Sequence, residues 1–232
     1  MYPWTVAVEG GLRERKKQQT RQLIIETAHR LFSARGFDTV TVAEVARAAD
    51  VSEGTVFNYF PVKEDLFYGG MEVFEQRLIE AVRRRPPGVS AFDAFREIVL
   101  DGTRVLVEEP RADVIAAGAR VVAGSPALQA REREIVARYT QALAELLAKE
   151  TGARPDEVEP LAMATALMGV QRALVRFVRA SVLAGVRGRQ LATSARTQAR
   201  RAFVRLERGL KDYGKKPVSA GAARIHQHRK RV

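Results

Sequence analysis

Residues 41–67, TVAEVARAADVSEGTVFNYFPVKEDLF, constrain the fold of this chain more than any other stretch. Two short helical patterns flank a tight break, and a third begins directly after them. Thr41 with Glu44 three residues on fits a capping box, which satisfies orphan amides at a helix start. Val42, Val45, Ala46 and Ala49 follow at i, i+3, i+4 and i+7, one apolar stripe of a short helix. Asp50-Val51-Ser52 interrupts that stripe. Val51 is apolar in a turn, which suits a residue plugging the gap between two helices, and Ser52 is a good N-cap for the second. Val56 and Phe60, four apart, turn inward and leave Ser52, Thr55, Asn58 and Tyr59 on the outer face. Gly54 removes a side chain where a backbone would approach another molecule closely. The arrangement is that of a helix-turn-helix, which sets one short helix in the major groove of DNA. An ordinary helical hairpin with a polar outer face fits the same residues.

The outer-face chemistry suits nucleic acid. Asn pairs with adenine in two-point fashion, and Ser and Thr hydrogen-bond to several base edges. Tyr and Thr hydroxyls and Lys ammonium groups commonly hold phosphates. A cluster of Arg13, Arg15, Lys16, Lys17 and Arg21 precedes the motif, where an arm would reach backbone or minor groove; a solvated flexible segment is the alternative.

From RERKKQQTR through LIIETAHRLFSARGFDTVTV to EVARAADVSEGTVFNYFPVKEDLF, about residues 13–67, the sequence resembles the TetR family of bacterial transcriptional repressors. Gly36 and Phe37 close the first helix as a left-handed C-cap requires, with Phe37 placed to meet Phe32. The resemblance implies an all-α homodimer. A three-helix DNA-binding unit would lead into a larger helical domain that binds a small ligand, and ligand binding would release the operator. It assigns Arg15 and Lys17 to the DNA-facing cluster, and Thr41, Tyr59 and Lys63 to phosphates. It places Ser52, Thr55, Phe57 and Asn58 at or near base edges, with Gly54 allowing close approach. Two positions depart from the family pattern: Phe57 stands where Tyr is common, and Val62 where a capping residue is common. The helix after Pro61 therefore starts on a weak cap.

Charge is distributed unevenly. The net charge is +12, yet residues 1–65 hold nine basic and nine acidic side chains and residues 66–184 sixteen of each. The excess lies in residues 185–232, with fourteen basic and two acidic side chains. Ala192, Ala195, Ala199, Phe203, Leu206 and Leu210 form a narrow helical seam there. In the family the last two helices of each subunit pair into a four-helix interface. The seam suits that role, with Phe177 on the preceding helix, while packing within its own subunit is the alternative. Beyond Tyr213 the chain lacks periodicity and apolar mass and reads as a basic disordered tail. Such a tail would strengthen nonspecific DNA association, or merely be solvated.

The expected organisation is a flexible N-terminus over 1–12, a DNA-binding domain over 13–66, a ligand-binding and dimerisation domain over 67–212, and the tail over 213–232. The middle reads as helices over 63–84, 90–109, 111–123, 126–150 and, starting at Asp156 or Glu159, on to 183, broken by Pro86-Pro87-Gly88, Pro110, Ser125-Pro126 and Gly152. Met163, Leu167 and Gln171 share one helix face. The resemblance suggests a cavity near these, Phe74, Phe95, Arg104 and Arg120; core packing is the alternative for each apolar residue, and surface placement for each arginine.

There is no cysteine, which excludes disulfides and thiolate chemistry. The N-terminus lacks a signal-peptide pattern, no run of about 18 apolar residues is evident, and a cytoplasmic protein is expected. His226 and His228 fall in the tail and His29 sits beside apolar neighbours, so no catalytic or metal site and no cofactor is expected. The partners expected are a near-palindromic double-stranded operator, an unknown small-molecule effector and a second copy of the chain, with no membrane. An architectural DNA-binding protein without an effector is the competing reading.

Overall fold

The computed structural model describes residues 11–69 and 71–210, without the side chains of 71–75, 109 and 208–210. Among these residues every regular element is helical: α1 Leu12–Arg35, α2 Val42–Ala48, α3 Glu53–Tyr59, α4 Lys63–Tyr68, α5 Met71–Arg83, α6 Ala91–Gly102, a 3₁₀ turn Arg104–Val107, α7 Glu109–Ala123, α8 Pro126–Thr151, α9 Glu159–Leu183 and α10 Gly188–Leu210. The expected N-terminal stretch and basic tail lie outside the described residues, apart from Gly11 and Leu12.

Local chemistry accounts for most boundaries. Gly36, at φ 83°, ends α1 with its N–H on the Phe32 carbonyl at 2.8 Å. Phe37 then meets Phe32 with ring centres 4.9 Å apart, as the C-cap pattern anticipates. Thr41 and Glu44 form the complete capping box of α2. Ser52, Ser90 and Ser125 each accept an amide of the helix they precede. Val62 gives α4 no side-chain cap.

Two expected helices are shorter than the sequence suggested. The segment 63–84 is not one helix: α4 stops at Tyr68 before Gly69, and α5 begins at Met71. A Cβ at Gly69 would lie 2.8 Å from the Asp65 carbonyl oxygen and 2.9 Å from the Phe60 ring, so only glycine fits this exit. The segment 90–109 ends at Gly102 and tightens into the 3₁₀ turn, whose first residue, Arg104, follows Thr103. The Thr103 hydroxyl caps the Leu100 carbonyl there at 2.6 Å.

The chain gathers into two compact units that are not consecutive in sequence. The first joins residues up to Gln76 with Asp113–Ile135. Its core includes Ile24, Ala28 and Phe32 of α1, Val45, Val56 and Phe60 around the turn, and Leu66, Tyr68 and Leu128. The second joins Arg77–Ala112 with residues from Val136 onward. Its core includes Leu78, Val82, Phe92, Phe95, Leu143, Leu147, Leu167 and Phe203. There Arg85, with 1% of its side chain exposed, bonds Glu150 at 2.6 Å and the Val82 and Val89 carbonyls at 2.6 and 3.1 Å. That staple closes the Pro86-Pro87-Gly88 turn with its buried charge satisfied.

Candidate nucleic-acid interface

The turn between α2 and α3 is built on Asp50, which has φ 53°. Aspartate tolerates this left-handed conformation better than most residues. Val51 then returns its N–H to the Ala46 carbonyl at 3.0 Å. Behind the turn Val45, Ala46, Ala49, Val56 and Phe60 are all buried, so α2 and α3 are fixed by one small apolar plug.

The outward face of α3 matches the sequence expectation. Phe57 is 47% exposed, an unusual state for a large apolar ring. Asn58 is exposed and its side chain makes no hydrogen bond among the described residues. The Ser52 and Thr55 hydroxyls lie 2.8 Å apart, and Ser52 also accepts the Thr55 amide at 3.1 Å. This pairing caps α3 in the free protein, with Ser52 exposed and Thr55 half-buried. Tyr59 is half-buried, its ring 6.3 Å from that of Phe60.

Two of the expected phosphate contacts, Thr41 and Lys63, carry structural work as well. The Thr41 hydroxyl accepts the Glu44 amide at 3.2 Å and donates to the Glu44 carboxylate at 3.0 Å. Hydrogen bonds from the Thr41 amide, Arg35 and the Thr41 hydroxyl hold the Glu44 carboxyl down to a pKa of about 2. A phosphate would compete with that carboxylate for Thr41. Lys63 donates to the Phe37 carbonyl at 2.7 Å, with its ammonium 4.2 Å from the Phe37 ring centre. Burial pushes its pKa down, against the pull of Asp38, Glu64 and Glu44. One of its three donors is used in that bond.

The basic lead-in differs from an arm. Arg13, Arg15, Lys16 and Lys17 lie on the first turns of α1 and are exposed. Arg21 turns inward, donating to the Gly69 carbonyl at 2.7 Å with its guanidinium 5.2 Å from the Phe60 ring centre. Arg47, exposed on α2 and without an ion pair among the described residues, is a cation that the sequence reading passed over. Its position on the helix before the turn was the available signal.

In the second unit the expected ligand and dimer residues separate. Leu167 is buried and Met163 half-buried on α9. The Gln171 Oε1 is buried with no hydrogen-bond partner. Phe95 is fully buried, 6.4 Å from Phe203 between ring centres. Arg104 is 73% exposed and pairs with Asp101 at 2.8 Å. It lines a surface groove of about 270 Å³ with Asp93, Arg96, Glu97, Leu100, Asp101 and Arg196, where charges of both signs meet. Arg120, in the first unit, is exposed. The Phe74 and Leu210 side chains lie outside the described residues. Ala195, Ala199 and Phe203 are buried within their own subunit, and Phe203 meets Phe92 edge-on at 5.8 Å. The α10 seam is therefore used inside the chain, because its apolar edge fits the aromatic face of α6. Leu206 and Phe177 are half-buried.

Gln171 and Arg172 interrupt the apolar run of α9, as expected, yet by length and composition the helix is long and apolar enough to cross a membrane. Only 22% of its most apolar stretch is buried in the chain. Leu161 and Leu183, near its two ends, are 48% and 47% exposed.

A capped recognition helix on a buried turn, followed by a helical second unit, defines a helix-turn-helix DNA-binding protein. Residues 24–68 match the model of bacterial regulatory proteins of the tetR family, and residues 89–187 match the MftR C-terminal domain. The chain belongs to the TetR family of transcriptional regulators. It is 26% identical over 161 residues to the putative mycofactocin biosynthesis transcriptional regulator MftR of Mycobacterium tuberculosis, covering 67% of this chain and 78% of that protein. It is 33% identical over 85 residues to the transcriptional regulator TcmR of Streptomyces glaucescens, covering 37% of this chain but only 38% of that one. Among solved structures it resembles NalD of Pseudomonas aeruginosa, the secondary repressor of the MexAB-OprM multidrug efflux pump. That likeness has a TM-score of 0.55 at 21% identity, over 81% of this chain and 96% of NalD, and shows the shared fold.

Proposed function

We propose that this protein is a homodimeric, sequence-specific repressor that leaves its operator when a small molecule binds its second unit. The observation that carries the reading is α3: a helix capped by Ser52 whose Phe57 and Asn58 side chains point outward with no work to do in the free protein. Asn58 is assigned to a base edge, Phe57 to a thymine methyl, and Ser52 and Thr55 to nearby edges. Arg15, Lys17, Arg47, Tyr59 and Lys63 are assigned to the sugar-phosphate backbone, with Thr41 reaching it when Glu44 yields.

Gln171 supports a ligand site on α9. A buried acceptor without a donor costs about 1–3 kcal/mol, which a ligand donor group would recover. Two copies meeting through the exposed side of α9 would account for an apolar helix so little covered by its own chain. Ligand and operator would then oppose each other through a coupling of roughly 1–3 kcal/mol or more.

Selection of genomic fragments by the purified protein, followed by footprinting, tests the reading. A short near-palindromic site is expected, with Asn58→Ala losing about 1–3 kcal/mol of base discrimination at one position. Uniform, strongly salt-dependent enrichment without a shared site would instead favour an architectural role, carried by the basic charge at residues 185–232.

A further inference from the structure

The first turns of α8 touch the two segments that flank the helix-turn-helix. Ser125, 1% exposed, caps α8 by accepting the Leu128 amide at 3.3 Å. The same hydroxyl donates to Asp38, between α1 and α2, at 2.8 Å. One turn on, the buried Tyr68 hydroxyl of α4 donates to the Leu128 carbonyl at 2.9 Å and lies 3.2 Å from the Glu132 carboxylate. Arg131 then grips a single Asp65 oxygen of α4 through Nε at 3.1 Å and Nη2 at 2.8 Å. Its third anchor is Glu134 at 3.0 Å. The Asp65 pairing, first among the causes, holds the Arg131 guanidinium above its usual pKa.

These contacts recur at 125, 128 and 131–132, one face of a helix. They all lie inside the first unit, and α8 itself runs on to Thr151. Meanwhile α4 ends after six residues at a glycine that admits no side chain.

Resting on the repressor reading, we infer that Ser125, Arg131 and Tyr68 are positioning residues that fix where the recognition helix stands, by clamping α8 to the α1–α2 connection and to α4. In a dimer this clamp sets the distance between the two recognition helices. Effector control would therefore pass through the α8 start as well as through α4. None of the three touches DNA in this account, so their loss changes geometry and leaves base reading intact.

The test uses the full-length protein and its selected operator, with the spacing between half-sites varied in single base pairs. Wild type should prefer one spacing sharply. Ser125→Ala combined with Arg131→Gln should flatten that preference by about tenfold, the scale of a lost charge-assisted hydrogen bond. Tyr68→Phe, which keeps the buried ring, should flatten it less. Base preference within each half-site should stay as in wild type. If the variants lose affinity equally at all spacings, or melt earlier with spacing preference intact, the contacts are merely structural and the inference is overturned. A wild type that selects no paired half-sites removes the repressor reading, and this inference with it.

Discussion

Two glycines show opposite reasons for lacking a side chain. At Gly69 the protein itself forbids one, since a Cβ would lie under 3 Å from both backbone and ring. At Gly54 the nearest atom to a Cβ would be Ser52 Oγ at 3.8 Å, an ordinary contact. Nothing in the free protein requires glycine at the head of α3, and alanine would favour the helix by about 0.8–1 kcal/mol. Gly54→Ala should therefore raise the thermal midpoint slightly while weakening operator binding, checked by melting and by titration of the selected site. Unchanged binding would show that the α3 backbone does not come close to DNA there. Phe57 and Asn58 tell the same story from the other side, because their exposure has no internal use.

The packing of α1 against α4 carries a pH dependence. His29 stacks on Phe67 with ring centres 5.1 Å apart. Burial, against a hydrogen bond to the Phe67 backbone, lowers its pKa from 6.5 to about 4. The unfolded chain thus binds a proton that the folded one refuses. Stability is full above pH 6.5 and falls as pH drops through the window down to about 4. The loss should reach about 2–3 kcal/mol near pH 4.5. Glu44 has its pKa lowered from 4.5 to about 2, so its contribution fades from about pH 4.5 downward and overlaps only the acid end of that window. Urea midpoints at near-neutral pH and at about pH 4.5 should differ for wild type and converge for His29→Gln. Equal pH dependence in both proteins would place the titrating group elsewhere.

At the scale of the whole molecule, α10 spends its apolar seam inside the chain and α9 keeps an apolar side outside. On the proposed reading two copies would associate through α9, over an area of order 2,000 Å² for a permanent dimer. Gly169 sits on the exposed side of α9, and a Cβ there would meet nothing within 4 Å. Gly169→Glu should leave each chain folded while placing a carboxylate in the interface. Sedimentation should show the mass falling from twice 25.7 kDa to 25.7 kDa, with unchanged circular dichroism. A dimer that survives the change would move the interface away from this part of α9.

The helix-turn-helix was legible in the sequence because its determinants are local. Thr41 and Ser52 cap helices within three residues, Gly36 supplies a left-handed turn, and Val45, Val56 and Phe60 announce an inward face by spacing alone. The exposure of Asn58 followed from the same periodicity. What lay beyond reach depended on partners distant in the chain. The glycine exit from α4 depends on the Phe60 ring and the Arg21 guanidinium as well as on the local Asp65 carbonyl, and the grip of Arg131 on Asp65, sixty-six residues away. Arg104 and Phe95 looked alike as cavity candidates until packing put one on the surface and the other in the core. The α10 seam was equally plausible facing in or out, since periodicity shows that a helix has an apolar edge and not which surface covers it. Tertiary structure decided that question through the aromatic face offered by Phe92 and Phe95, which only the folded chain assembles.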